Sequence, residues 1–244
     1  MAEQGSTPGK FVARFVWVVV GVLVIGLGSG LLKAIDVGVD PYTAANIGIS
    51  TLLGWDLGSY QLLSNLVLFI PMLIWGRKYI GVGSAVNMVF AGYAIQFFAG
   101  VLTPLVPADP APVVTMILFV VGICVFALGA SLYMTAALGT APYDALAPMI
   151  VDATGAKYRV VRTAQDVIFL ILAVVFHGAI GVGTTVTAFF TGPLIEFFTQ
   201  RVSTPLMASV LPAPTAAAPV STAGGVAQTE GGAPDATASP AGEN

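Results

Sequence analysis

The chain has 244 residues, 57% of them hydrophobic and 9% charged, with a mean hydropathy of +0.91. A soluble globular domain carries roughly 25% charged residues, so this composition excludes a water-soluble enzyme. Nine Lys+Arg against twelve Asp+Glu leave no basic patch for nucleic acid. A single cysteine, Cys124, cannot close an internal disulfide, and a single histidine, His177, cannot build a Cys/His zinc centre. No metal, cofactor or catalytic residue is expected, and the first partner of such a chain is a lipid bilayer.

Six apolar stretches approach the roughly 20 helical residues needed to cross a hydrocarbon core of about 30 Å. In chain order they are Phe11–Ile35, Ser59–Trp75, Ile80–Val101, Val113–Ala136, Val160–His177 and Gly181–Thr199. The expected class is therefore an all-α membrane protein. Lys10 and Arg14 followed by an apolar run imitate a signal peptide, but the run continues to Leu32, so an uncleaved first span is expected. Two shorter segments, Pro41–Gly54 and Pro142–Gly155, start at a Pro and stop at a Gly, as short helices do. They are too short to span and read as interfacial or re-entrant helices. Beyond Arg201 the chain loses its apolar character. Pro212–Asn244 is Ala, Pro, Gly, Ser and Thr with few charges, so residues 202–244 are expected to be a disordered cytoplasmic tail.

Cations set the orientation. Residues 1–10 form a cytoplasmic N-terminus with Arg14 just inside the first span. Arg77 and Lys78, then Lys157, Arg159 and Arg162, then Arg201 fall on the same side. Asp40, Asp56 and Asp109 fall on the other, in segments without a cation. Lys33 is the exception, and its long side chain can snorkel from the outer end of the first span. Six spans with both termini in the cytoplasm satisfy the positive-inside rule.

The chain also repeats itself. Gly21–Gly28 aligns with Gly122–Gly129 at an offset of 101, which also superposes Gly38 on Gly139, Pro41-Tyr42 on Pro142-Tyr143, and Gly54 on Gly155. At an offset of 100, Ile80–Phe98 matches Ile180–Phe198 at ten of nineteen positions. Repeat 1 covers residues 11–101 and repeat 2 residues 113–201, with an outer loop at 102–112. Three spans plus one short helix per copy make the second copy enter the membrane from the opposite side. Such inverted repeats are the build of many secondary transporters.

The residues carrying the repeat also carry a resemblance. The frame Ala136-x-x-Gly139-x-x-Pro142-Tyr143-Asp144, then Ile180-Gly-Val-Gly-Thr184 through Gly192-Pro193 to Phe197, resembles the YczE/YyaS/YitT-like family of bacterial integral membrane proteins. Repeat 1 keeps the frame at Gly38, Pro41, Tyr42 and Gly81–Ser84, but has Tyr93 where repeat 2 has Pro193. The resemblance spans roughly residues 15–200 and implies a transport role, linked to secondary-metabolite production or export. It brings no catalytic residues.

Polar residues inside the spans need a reason, because a charge at the bilayer centre costs at least about 2.5–3.5 kcal/mol. Aligning the repeats pairs Thr43 with Asp144, Gln61 with Arg162, Asn65 with Asp166, and Gln96 with Glu196. Each neutral residue of repeat 1 meets a charged one in repeat 2. Arg162 and Asp166 share a helix face at i,i+4. With Glu196 they form either an inner-interface ion pair or a cytoplasmic gate. Asp144 sits where it can cap its own helix, and Thr43 can do so in repeat 1, leaving the helix dipole to an anionic ligand. Asn87 can bond across helices or line a pathway. Gly26, Gly28, Gly30 and Gly129 suit close helix packing, and Pro41, Pro142, Gly83 and Gly183 mark helix starts or hinges. Phe97-Phe98 and Phe197-Phe198 read as interface anchors.

These features lead to a secondary permease moving a small solute by alternating access. The alternatives are a non-transporting accessory protein and the substrate-capture membrane subunit of an ATPase-driven importer. Association with a second copy or a membrane partner is left open.

Overall fold

A computed structural model describes residues 8–107 and 110–210; Asp109 and the low-complexity stretch 211–244 lie outside the described residues. Among the described residues the chain is helical and has no strand. The elements are α1 (Pro8–Ala34), α2 (Pro41–Leu53), α3 (Leu57–Trp75), α4 (Val82–Leu102), α5 (Pro112–Thr135), α6 (Pro142–Thr154), α7 (Tyr158–Val175), α8 (Val182–Phe198) and α9 (Thr204–Val210). Helices α1, α3, α4 and α5 are long and apolar enough to cross a membrane. Helix α7 has 18 residues and carries Arg159, Arg162 and Asp166, and α8 has 17, so these two fall short by charge or length.

Large apolar side chains point outward, including Leu63, Val67, Ile70 and Ile74 of α3 and Val113, Ile117, Val120 and Val121 of α5. In water such a surface would be a liability; against lipid it is ordinary. Helix α7 divides its faces sharply. Val167, Ile171, Val174 and Val175 face out, while Gln165 is buried.

Helices α1 and α5 form the centre, crossing on glycine. A side chain on Gly28 would run into the backbone of Phe126, and one on Gly129 into that of Ile25. These contacts are reciprocal, since each partner lies 101 residues from its counterpart. Gly26 and Gly30 serve a different neighbour: they admit Ala94 and the Phe98–Ala99 backbone of α4.

Local chemistry explains the short helices. Pro41 and Pro142 occupy the first turns of α2 and α6, where a missing N–H costs nothing. Each helix stops at a left-handed glycine, Gly54 at φ 68° and Gly155 at φ 69°. Asp40, not Thr43, caps α2, accepting from Thr43 N at 3.0 Å. Asp144 does not cap α6, whose N-cap is Ala141; the carboxyl turns to Arg162 instead. Helix α2 is buried along most of its length.

The two halves interlock. Helix α2 packs on α7, and α6 packs on α3. Gly83 N donates to Leu138 O and Gly183 N to Val37 O, both at 2.7 Å. Lys78 Nζ and the Tyr79 hydroxyl each lie 2.6 Å from Asp152 Oδ2, joining the 77–79 turn to the end of α6. The Lys78 bond, then the Tyr79 bond, hold the Asp152 carboxyl below its usual range.

The expected tail begins too early. Helical structure continues past Arg201 through a π-helical turn, Thr199–Ser203, into α9. Met207 is 6% exposed and joins the core formed by Val18, Val22 and Tyr133. Ser203 Oγ lies 2.6 Å from Ser131 Oγ. A single buried methionine and this hydroxyl pair anchor the segment, and seven residues give too little periodicity to announce it.

Candidate functional site

The first turns of α2 and α6 meet at the centre of the bundle. The rings of Tyr42 and Tyr143 stack at 4.5 Å and 19°, and Phe169 meets both edge-on. Beside them opens a cavity of about 630 Å³, in the size range of small-molecule sites. Eight of the nine polar candidates line it: Thr43, Gln61, Asn65, Asn87, Asp144, Arg162, Asp166 and Glu196. Gln96 stands apart on the exposed surface, where its Oε1 accepts from Gly58 N at 3.0 Å.

Each tyrosine binds the polar residue 23 positions on. The Tyr42 hydroxyl donates to Asn65 Oδ1 at 2.8 Å, and the Tyr143 hydroxyl donates to Asp166 Oδ1. Side-chain amides take the backbone carbonyls, Asn46 that of Tyr42 at 2.8 Å and Gln165 that of Tyr143 at 2.9 Å. Arg162 lies between two carboxylates, 3.1 Å from Asp144 and 3.5 Å from Asp166, with its guanidinium 4.8 Å from the Tyr143 ring centroid. The ion pair joins α6 to α7, so it is more than an i,i+4 pair along one helix.

In the three pairs other than Gln96 and Glu196, the charged member is wetter than the neutral one. Thr43, Gln61 and Asn65 are at most 3% exposed, whereas the Arg162 and Asp144 side chains are 30% and 27% exposed. Helix packing explains the difference. Helix α3 packs along α4, while α7 barely touches α8. Gly92 of α4 sits against Gly58 and Gln61, but Gly192 of α8 has open space around it. On the closed side, Ser59 Oγ and the Tyr93 hydroxyl lie 3.1 Å apart. On the open side, Glu196 is exposed at the cavity mouth and accepts from Gln200 of the following π-helical turn at 3.1 Å. The structure is therefore closed between α3 and α4 and open between α7 and α8.

Sequence reasoning missed Asp40, which lines this cavity rather than an outer loop, and the tyrosines Tyr42, Tyr133, Tyr143 and Tyr158. The recurrence of Pro-Tyr at offset 101 was the available signal for two of them. His177 sits at φ 52° just after α7 and Cys124 is half-buried in α5; neither lines the cavity.

Apolar helices around an internal cavity with a few polar side chains in its lining define a helical membrane protein. The chain belongs to the family of unknown function DUF6198, which matches residues 12–200. It is 28% identical over 177 residues to an uncharacterized protein of Haemophilus influenzae, covering 72% of this chain and 78% of that one. It is 26% identical to two Bacillus subtilis proteins: the uncharacterized protein YyaS, over 76% of this chain and 92% of YyaS, and the uncharacterized membrane protein YczE, over 77% and 86%. No solved structure matches.

Proposed function

We propose that the protein is a secondary permease of a bacterial plasma membrane, built from two inverted three-span repeats with both termini in the cytoplasm. Helices α7 and α8 are its fifth and sixth spans. The polar face of α7 turns to the cavity and its apolar face to lipid, so its low overall hydropathy does not argue against crossing. Helices α2 and α6 are re-entrant, meeting at Tyr42 and Tyr143 near the membrane centre, where inverted-repeat carriers place their substrate sites.

The carrying observation is the unequal packing of matching helix pairs. The α3–α4 pair is shut and the α7–α8 pair is open around one chamber. A fold whose halves share a sequence frame can exchange those packings, so the opposite state has α8 folded onto α7 and α4 swung from α3. In that state Glu196 takes the place of Gln96, and Arg159 the place of Gly58. An ion pair across that mouth, cytoplasmic in this reading, then replaces the neutral latch of the α3–α4 seam. Alternating access is the exchange between these two states.

Solute flux into liposomes containing only the purified protein tests this reading. Flux without an added ATPase supports a carrier. An ATPase retained through purification and required for uptake would assign the chain to an importer, and binding to a partner without flux would assign it an accessory role. Cysteines at Asp56 and Asp109 should label from outside intact cells and ones at Lys78 and Gly155 should not; the reverse at Gly155 breaks the inversion.

A further inference from the structure

Resting on the permease reading, we infer that the chamber takes a small organic cation, a protonated amine on an apolar or aromatic body. Two residues of the chamber lining each carry a buried acceptor without a donor. Asp40 Oδ1 accepts from Thr43 N, but Oδ2 has no partner, and neither does Oε1 of Gln61, a residue 3% exposed. A buried acceptor without a donor is costly; both oxygens are covered in this state, Gln61 Oε1 lying towards Gly92 of α4, so a donor-bearing ligand relieves them once the two side chains turn into the chamber. The hydroxyl of Thr191, also without a partner there, can bond either way.

The chamber already displays how it holds a cation. Arg162 rests over the Tyr143 ring between Asp144 and Asp166, which is the aromatic-plus-carboxylate environment that binds ammonium groups. In the other half Gln61 stands where Arg162 would, so Asp40 has no resident cation of that kind. Asp40, Asp144, Asp166 and Glu196 outnumber Arg159 and Arg162 in the lining. The α2 and α6 N-termini each present about half a positive charge, but Asp40 caps the first and Asp144 sits in the first turn of the second. The field therefore favours a cation over an anion. The volume and the ring of Tyr133 favour an organic body over a bare ion.

Three probes of one shape and different charge test this: phenethylamine, 2-phenylethanol and 3-phenylpropanoate, titrated at pH 7 onto the full-length protein in detergent. Melting temperature and equilibrium dialysis are the readouts. Phenethylamine should bind saturably and at least tenfold more tightly than the alcohol, with the carboxylate weakest. Asp40→Asn keeps the helix cap, since Asn caps as well as Asp, and Gln61→Leu removes the second acceptor. Each should weaken phenethylamine at least tenfold without lowering the ligand-free melting temperature by more than a few degrees. Equal or tighter binding of the alcohol or carboxylate, no saturable amine binding, or amine binding unchanged in both variants would overturn the assignment. Amine binding with no flux in liposomes would sink the permease reading and leave the cation site standing. Carboxylate flux would do the opposite.

Discussion

Tyr42 and Tyr143 stack face to face at 4.5 Å, and each donates its hydroxyl to the residue 23 positions on. The acceptor is neutral Asn65 in one case and Asp166 in the other. One geometry is thus built twice, with a dry amide on the closed side and a wetter carboxylate on the open side.

Removing either hydroxyl should cost stability, at Tyr42 at least as much as at Tyr143. Tyr42→Phe leaves Asn65 Oδ1, in a residue 2% exposed, without its donor. That should cost about 1–3 kcal/mol. Tyr143→Phe leaves Asp166 with Arg162 alone and should cost no more, because water reaches the pair. Denaturant unfolding in detergent reads both. A loss below a few tenths of a kcal/mol in Tyr42→Phe would show that the bond contributes nothing.

Asp166→Asn makes repeat 2 match repeat 1 with almost no change in volume. The amide oxygen can still accept from Tyr143, and Arg162 keeps Asp144, so the fold should survive. Flux should fall at least tenfold if the carboxylate works in the chamber. Adding Arg162→Gln separates the cases: restoring charge balance rescues a structural pair but not a working carboxylate. Normal flux in the single variant would remove Asp166 from the site.

Gly92 and Gly192 are a natural pair for testing the open seam. A side chain at Gly92 meets Gln61 and Gly58, so Gly92→Leu overpacks a closed contact and should cost about 1–3 kcal/mol. Gly192 meets nothing within reach, and Gly192→Leu should leave stability unchanged or raise it by about 1 kcal/mol. Yet that leucine occupies the space α8 needs to close, so flux should stop. Full flux in Gly192→Leu would mean the seam never shuts.

How much was readable beforehand follows from what each feature depends on. The helices and their ends were legible because Pro41, Pro142, Gly54 and Gly155 act through local backbone chemistry. The reciprocal glycine crossing was legible in its spacing, although Gly26 and Gly30 turned out to face α4. The chamber residues could be nominated because polar groups in apolar helices are costly. Asp40 was misplaced because nothing local distinguishes a loop aspartate from one folded into the bundle with α2. The packing of α2 on α7 and α6 on α3 depends on long-range contacts that periodicity does not encode.

Met207 tests the unexpected continuation beyond Arg201. Met207→Ala empties a site in the core around Val18 and Tyr133 and should cost about 2–5 kcal/mol. Thermal unfolding of the variant checks it, and an unchanged melting temperature would show that α9 does not dock.

The exchange of packings between the two helix pairs is most directly measured by paired cysteines in a Cys124→Ser background, bridged with a short bifunctional thiol reagent. Ser59→Cys with Tyr93→Cys probes the closed seam; Val160→Cys with Pro193→Cys, at the matching positions, probes the open one. The account predicts that the first pair bridges readily, that the second bridges as molecules visit the opposite state, and that either bridge abolishes flux until the reagent is removed. A second pair that never bridges while flux continues would contradict it.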